Sequence, residues 1–99
     1  MKDGNGEMMS AVSFYKTERT IDFNQQHYTK RRYEMYLYHD KILADKRQFS
    51  LDNVHDVSFR PFSDAGLLYL HTNQGVFAFE VEADPAHFIK SYKKLKKSN

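Results

Sequence analysis

The chain has no cysteine, no tryptophan, only two prolines and only four glycines in 99 residues. Without cysteine there is no disulfide, no thiolate metal site and no cysteine nucleophile. No stretch approaches the ~18 consecutive apolar residues that a membrane-crossing helix requires. Charge of one sign is scarce as well. The formal net charge is +2, so bulk electrostatics names no partner. A mass of 11.8 kDa allows one domain. A domain of this size buries roughly 65% of the surface its unfolded chain exposes, so one modest core must hold it.

What is abundant is aromatic. Eight phenylalanines and seven tyrosines accompany a hydrophobic fraction of 40% and a charged fraction of 28%, the composition of a globular chain. The stretch Met1-Lys2-Asp3-Gly4-Asn5-Gly6-Glu7 carries mixed charge and no apolar core, unlike a signal peptide. Lys2 stands where N-myristoylation needs glycine. Cytoplasmic residence is the expectation. Residues 1–10 are polar and glycine-rich without periodicity and read as a mobile arm ahead of a single domain over 11–97.

From Val12 the pattern turns strand-like. Val12 and Phe14 share a face at period two, as do Ile21 and Phe23, with polar Lys16 to Thr20 either a turn or a continuing exposed edge. Tyr33, Met35 and Leu37 form one face of the next strand and Glu34, Tyr36 and Tyr38 the other. His39-Asp40 then turns into Lys41–Ala44, and Asp45-Lys46 into a strand around Phe49. A helical stripe through Tyr33, Tyr36, Leu37, Leu43 and Ala44 is the rival reading, broken by Asp40. Tyrosine-rich composition and turn residues favour strands. Val57 and Phe59 continue the alternation, and Pro61, which cannot donate to a ladder, is expected to end that strand before a loop over 63–66. Leu67–Thr72 and Val76–Glu82 form a hairpin around Asn73-Gln74-Gly75, with Phe77, Phe79 and Val81 inward. The end is helical over about 85–96. Asp84 is a good N-cap and Pro85 suits the first turn. Phe88, Tyr92 and Leu95 recur at i, i+4, i+7 beside Ile89, and lysines fill the outer face and last turn. Phe77, Phe79 and Val81 are the expected surface beneath that helix.

The fold class expected is mainly β, a small curved antiparallel barrel or sandwich closed by one C-terminal helix. This order resembles the pleckstrin-homology-like (PH-like) superfold, and within it the short bacterial PH-like domains. The stretch that carries the resemblance is Phe49-Ser50-Leu51-Asp52-Asn53-Val54-His55-Asp56-Val57-Ser58-Phe59-Arg60, a strand passing through an apolar step into a second strand. The Leu67–Val81 hairpin and Asp84-Pro85-Ala86-His87-Phe88-Ile89 at the helix start complete it. The helix tryptophan of eukaryotic members is missing, with Tyr92 or Phe88 as substitutes, and their basic phosphoinositide signature has no clear counterpart. The resemblance implies a non-catalytic binding module and leaves the ligand open, because the superfold hosts peptide, lipid and scaffold roles.

Side-chain chemistry narrows the classes. His27, His39, His55, His71 and His87 form no helical i, i+4 pair and no H-x-H, so no metal site and no cofactor is expected. No serine lies in a G-x-S-x-G context, His55 and Asp56 fall on opposite strand faces, and Glu80 and Glu82 share a solvated face. A small enzyme is therefore the least favoured class. Aromatics stand two and four places after Gly75, not one and three as in the RNA-recognition motif. Tyr36, Tyr38 and Tyr69 could stack bases, but the small net charge disfavours nucleic acid. Two basic clusters remain: Lys30, Arg31 and Arg32, and on the helix Lys90, Lys93 and Lys94 with Lys96 and Lys97. They are the candidate contacts for an anionic partner, provided that they converge in space. The leading expectation is a protein or peptide ligand. Weak recognition of anionic lipid surfaces or phosphorylated ligands is the alternative. Exposed strand edges allow a homodimer.

Overall fold

A computed structural model of the protein describes residues 7–97. The element order is β1 (Met8–Asp22), β2 (Gln25–Tyr38), β3 (Lys41–Ala44), β4 (Arg47–Ser50), a 3-10 turn (Leu51–Asn53), β5 (Val54–Phe62), β6 (Ala65–Thr72), β7 (Gly75–Val81) and α1 (Ala86–Lys97). The strands form one seven-stranded antiparallel sheet in the order β4-β3-β2-β1-β7-β6-β5. This sheet is open, with β4 and β5 at its edges, and does not close into the barrel that was one of the expected forms. It bends enough to enclose a core. Phe49 on β4 meets Phe77 on β7 with ring centroids 5.1 Å apart, and Phe14 on β1 meets Phe79 at 5.0 Å, edge to face.

Period-two alternation sorts the faces. Val12, Phe14, Met35, Leu37, Ile42, Leu68, Leu70 and Val81 are buried, while their sequence neighbours point outward. The strand reading of residues 33–44 thus holds over its helical rival, with Met35 opposite Ala44 and Leu37 opposite Ile42. At the other end of the chain, Asp84 Oδ1 accepts from the Ala86 amide at 3.0 Å, capping the helix as its residue type implies. Phe88 and Tyr92 are buried, and Ile89 and Leu95 pack at the margin. The Tyr92 hydroxyl donates to the Val54 carbonyl at 2.7 Å, and the Lys96 ammonium donates to the Leu51 carbonyl at 2.9 Å.

Several expectations are corrected. The first strand begins at Met8, inside the stretch read as an arm; residues 1–6 lie outside the described residues. Of the two readings of Lys16 to Thr20, the continuing exposed edge holds over the turn, because β1 runs on to Asp22. Pro61 does not end its strand. It sits within β5, opposite Gly66, and β5 is an edge strand, where a missing amide donor costs no ladder bond. The helix packs chiefly on β1 and β5, while Phe77 and Phe79 spend their faces on Phe49 and Phe14. The alternation identified the inward residues; it carried no information about which neighbour each would meet.

Candidate binding cleft

Two features of the sheet create the site. The first is the length of β1 and β2. They pair continuously from Met8 with Tyr38 to Asp22 with Gln25, apart from one irregularity between Met8 and Ser10. Beyond Tyr15 and Arg32 this ribbon leaves the rest of the sheet and projects as a two-stranded arm. Every residue from Lys16 to Arg32 is exposed. Phe23 and Asn24 form its two-residue turn, at φ 50° and 65°. Both central residues in the left-handed region is the hairpin-turn geometry that matches strand twist. Asparagine adopts it readily, whereas a bulky aromatic such as Phe23 rarely does.

The second feature is a divergence. β1 and β7 pair at a single position, Tyr15 opposite Glu80. Past that point β1 departs with the arm, and β7 from Phe79 back to Gly75 keeps its pairing only with β6. A cleft opens where the two strands separate. Its inner part, about 250 Å³, is lined by Lys16, Ala44, Arg47, Phe77, Ala78 and Phe79. An adjoining outer part, about 550 Å³, adds Asp45 and Lys46 from the β3–β4 turn and Gln48 from β4. The floor is apolar and the rim cationic. Arg47 lies over the Phe77 ring at 4.9 Å from its centroid. Lys16 lies over Tyr33 at 5.0 Å and pairs with Asp45 at 3.2 Å. Among the described residues, Lys46 and Arg47 have no carboxylate partner. The arrangement suits an extended segment that places an apolar side chain on Phe77 and Phe79 and a carboxylate near Arg47.

The residues anticipated for an anionic partner are distributed differently. Lys30, Arg31 and Arg32 sit on β2 within the arm. Alternation sends Arg31 to the core-side face, with Lys16, and Lys30 and Arg32 to the opposite face. Each is engaged by carboxylates. Lys30 meets Glu82 at 2.6 Å and Glu80 at 3.0 Å. Those hydrogen bonds, to Glu82 first and Glu80 second, hold the Lys30 pKa above its ordinary value. Arg31 meets Glu18 at 2.9 Å and Arg32 meets Glu34 at 3.1 Å. Glu18 also accepts from the Tyr33 hydroxyl, which raises the pKa of that phenol. Lys90, Lys93 and Lys94 are exposed on α1, at the other end of β1. The helix contact is Ser10 Oγ with His87 Nδ1 at 2.7 Å, whereas Lys30 stands opposite Thr17. Seven residues of extended strand, about 23 Å, separate those positions. The two clusters do not converge.

Cross-strand pairing brings other polar groups together that chain order conceals. Ser58 Oγ lies 2.8 Å from His71 Nε2, and Asp56 stands opposite His71 on the same outward face. His71, expected to face solvent, is half-buried by this contact. The cleft residues include none of the three. Tyr36 and Tyr38 lie near each other, at 6.5 Å, but Tyr69 is on β6, with β1 and β7 intervening, so the three tyrosines form no single platform. Among the described residues no group of His, Asp or Glu could hold a metal ion, and no helix is long and apolar enough to cross a membrane. Compared with family models and with curated proteins, the chain matches none. The chain is a mainly-β antiparallel domain with a C-terminal helix and a cleft between diverging strands.

Proposed function

We propose that the protein is a non-enzymatic binding module of the PH-like type, whose ligand is an extended acidic segment of a protein or peptide. The observation that carries this reading is the single-rung junction of β1 and β7. It leaves the β1-facing edge of β7 without a strand beside the apolar floor of Phe77 and Phe79. An extended peptide can add to such an edge through its main chain, and alternate side chains then fall into the cleft. Arg47 and Lys46 supply the charge preference. A phosphorylated ligand shares that preference. An anionic membrane has less support, because Lys30, Arg31 and Arg32 already have carboxylate partners.

Selection of peptides from a random display library on the full chain tests the proposal. The expected sequences alternate apolar and acidic residues, and Arg47→Glu weakens their binding about ten-fold or more. Selected peptides that bind the Arg47→Glu variant as tightly as the native chain would refute it. Binding to anionic vesicles that survives Arg47→Glu would point to a lipid surface instead.

A further inference from the structure

The arm and the cleft have complementary chemistry within one chain. The arm tip presents a carboxylate, Asp22, beside the most exposed large apolar side chain of the described residues, Phe23 at 91%. The cleft offers an apolar floor ringed by Lys16, Lys46 and Arg47. The tip cannot reach its own cleft, because the β1–β2 ladder is paired without a break from Ser10 to Asp22. From Lys16 to Phe23 that ladder holds the tip about 23 Å away from the base.

We propose that two copies of this chain associate by reciprocal exchange, the Asp22–Phe23 tip of each seating in the cleft at the base of the other's arm. This rests on the reading of the cleft as a site for an acidic, apolar segment. A two-fold axis between two antiparallel arms places each tip at the opposite base, so both contacts form together and the assembly closes at two copies. Charge along the core-side face of the arm fits that packing. Lys16 and Arg31 lie at the base, Glu18 pairs with Thr29 in the middle beside Thr20 and His27, and Asp22 lies at the tip. Antiparallel stacking brings Asp22 of each copy towards Arg47 of the other, beside Lys16 and Arg31, which keep Asp45 and Glu18 as partners, while the mid-arm Glu18 approaches Thr20 and His27. Phe23 in a left-handed turn is a locally unfavourable conformation, the kind retained where the residue serves a contact. Ile21 and Tyr28 point to the opposite face and stay outside the interface, whereas Phe23, expected to share a face with Ile21, lies in the turn beyond the last rung and outside that alternation.

Sedimentation equilibrium of the full chain, from micromolar to millimolar concentration, tests the exchange. The expected result is a reversible monomer–dimer equilibrium. Phe23→Ser should weaken it about ten-fold or more. Asp22→Lys and Arg47→Glu should each weaken it, and the two together should recover most of the loss, since the ion pair is then re-formed with signs exchanged. Tyr28→Ser, on the other face, should leave it unchanged. A monomer throughout, a dimer indifferent to Phe23→Ser, a double variant no better than the singles, or equal sensitivity to Tyr28→Ser would each overturn the proposal. The two readings fail separately. A monomeric chain whose selected peptides still respond to Arg47→Glu loses the exchange and keeps the binding cleft. A dimer rescued by the double variant, with no peptide selected, keeps the exchange and removes the external ligand.

Discussion

Replacing Tyr92 by phenylalanine removes one oxygen atom and tests how α1 is fixed to the sheet. The Tyr92 side chain is buried, at 2% exposure, and its hydroxyl donates to the Val54 carbonyl across 2.7 Å. Val54 is itself fully buried at the start of β5, where the chain leaves the 3-10 turn. Tyr92→Phe keeps the packing and leaves that carbonyl without the phenolic donor, which costs about 1–3 kcal/mol at neutral pH. Alkaline pH gives an independent reading of the same buried hydroxyl. Burial first, and the Asp56 carboxylate second, push the Tyr92 pKa up from 10.0 to about 12. Between those values the unfolded chain has released the phenolic proton and the folded chain still holds it. Stability therefore falls as pH rises through this window. The contribution is complete below pH 10 and is lost as pH climbs through about 12. The displacement corresponds to roughly 2–3 kcal/mol. Urea unfolding of the native chain and the Tyr92→Phe variant, at steps from pH 7 upward, checks both parts. The native advantage should be present at pH 7 and should shrink, or reverse, by pH 12. Other alkaline titrations occur in both proteins and cancel in the difference. A difference independent of pH would refute the argument, since it would mean that the phenol ionises as easily folded as unfolded.

Three further outcomes follow from packing and charge. Phe88→Ala removes a ring buried at 1% exposure and should cost about 3–5 kcal/mol, read as a drop in the urea midpoint; truncation before Pro85 should abolish cooperative melting. Gly66→Ala should destabilise by roughly 1–3 kcal/mol, because a Cβ there would stand 2.3 Å from the Phe59 ring and 3.0 Å from the Arg60 carbonyl oxygen; thermal melting checks it, and Phe59→Leu should relieve part of the loss. Charge reversal at Arg31 and Arg32, whose side chains are 61% and 64% exposed, should move stability by no more than ~1 kcal/mol while reducing any salt-sensitive attachment to anionic vesicles.

The elements that were legible in the sequence share a physical cause: one face of each is buried and the other wet. Met35 and Leu37 against Tyr36 and Tyr38 announce a strand, and Phe88, Tyr92 and Leu95 announce a helix whose start Asp84 marks. The arm lacks that contrast. Between Lys16 and Arg32 both faces are exposed, so no alternation exists to separate strand from loop. Pro61 misled for a related reason, since its tolerance depends on β5 being an edge, a property of the whole sheet. The cleft was not legible at all. Lys16, Arg47 and Phe77 come from three strands, and nothing in their spacing says that β1 and β7 part after one rung. The basic cluster was visible as Lys30-Arg31-Arg32, but its partners Glu18, Glu80 and Glu82 are assigned only by register.

The order of the strands has a kinetic meaning. Every pairing in the sheet joins consecutive strands except β1 with β7. The chain is thus two meanders, β1 to β4 and β5 to β7, each assembled from hairpins whose loops close quickly. Among the contacts that join them are one rung at Tyr15 and Glu80, the Lys30 pairs with Glu80 and Glu82, the aromatic contacts of Phe14 and Phe49, and a helix that touches both halves through Ser10 and Val54. The contacts of Ser10, Phe14 and Tyr15 close the longest loops in the chain, so they are expected to form last and to set the rate. The Leu51–Asn53 turn, where the first meander passes to the second, is then a natural point of division. Two fragments cut after Leu51 would each carry their own hairpins, and would recover the native core only on meeting each other, with Lys96 reaching across the break to Leu51 and His87 to Ser10.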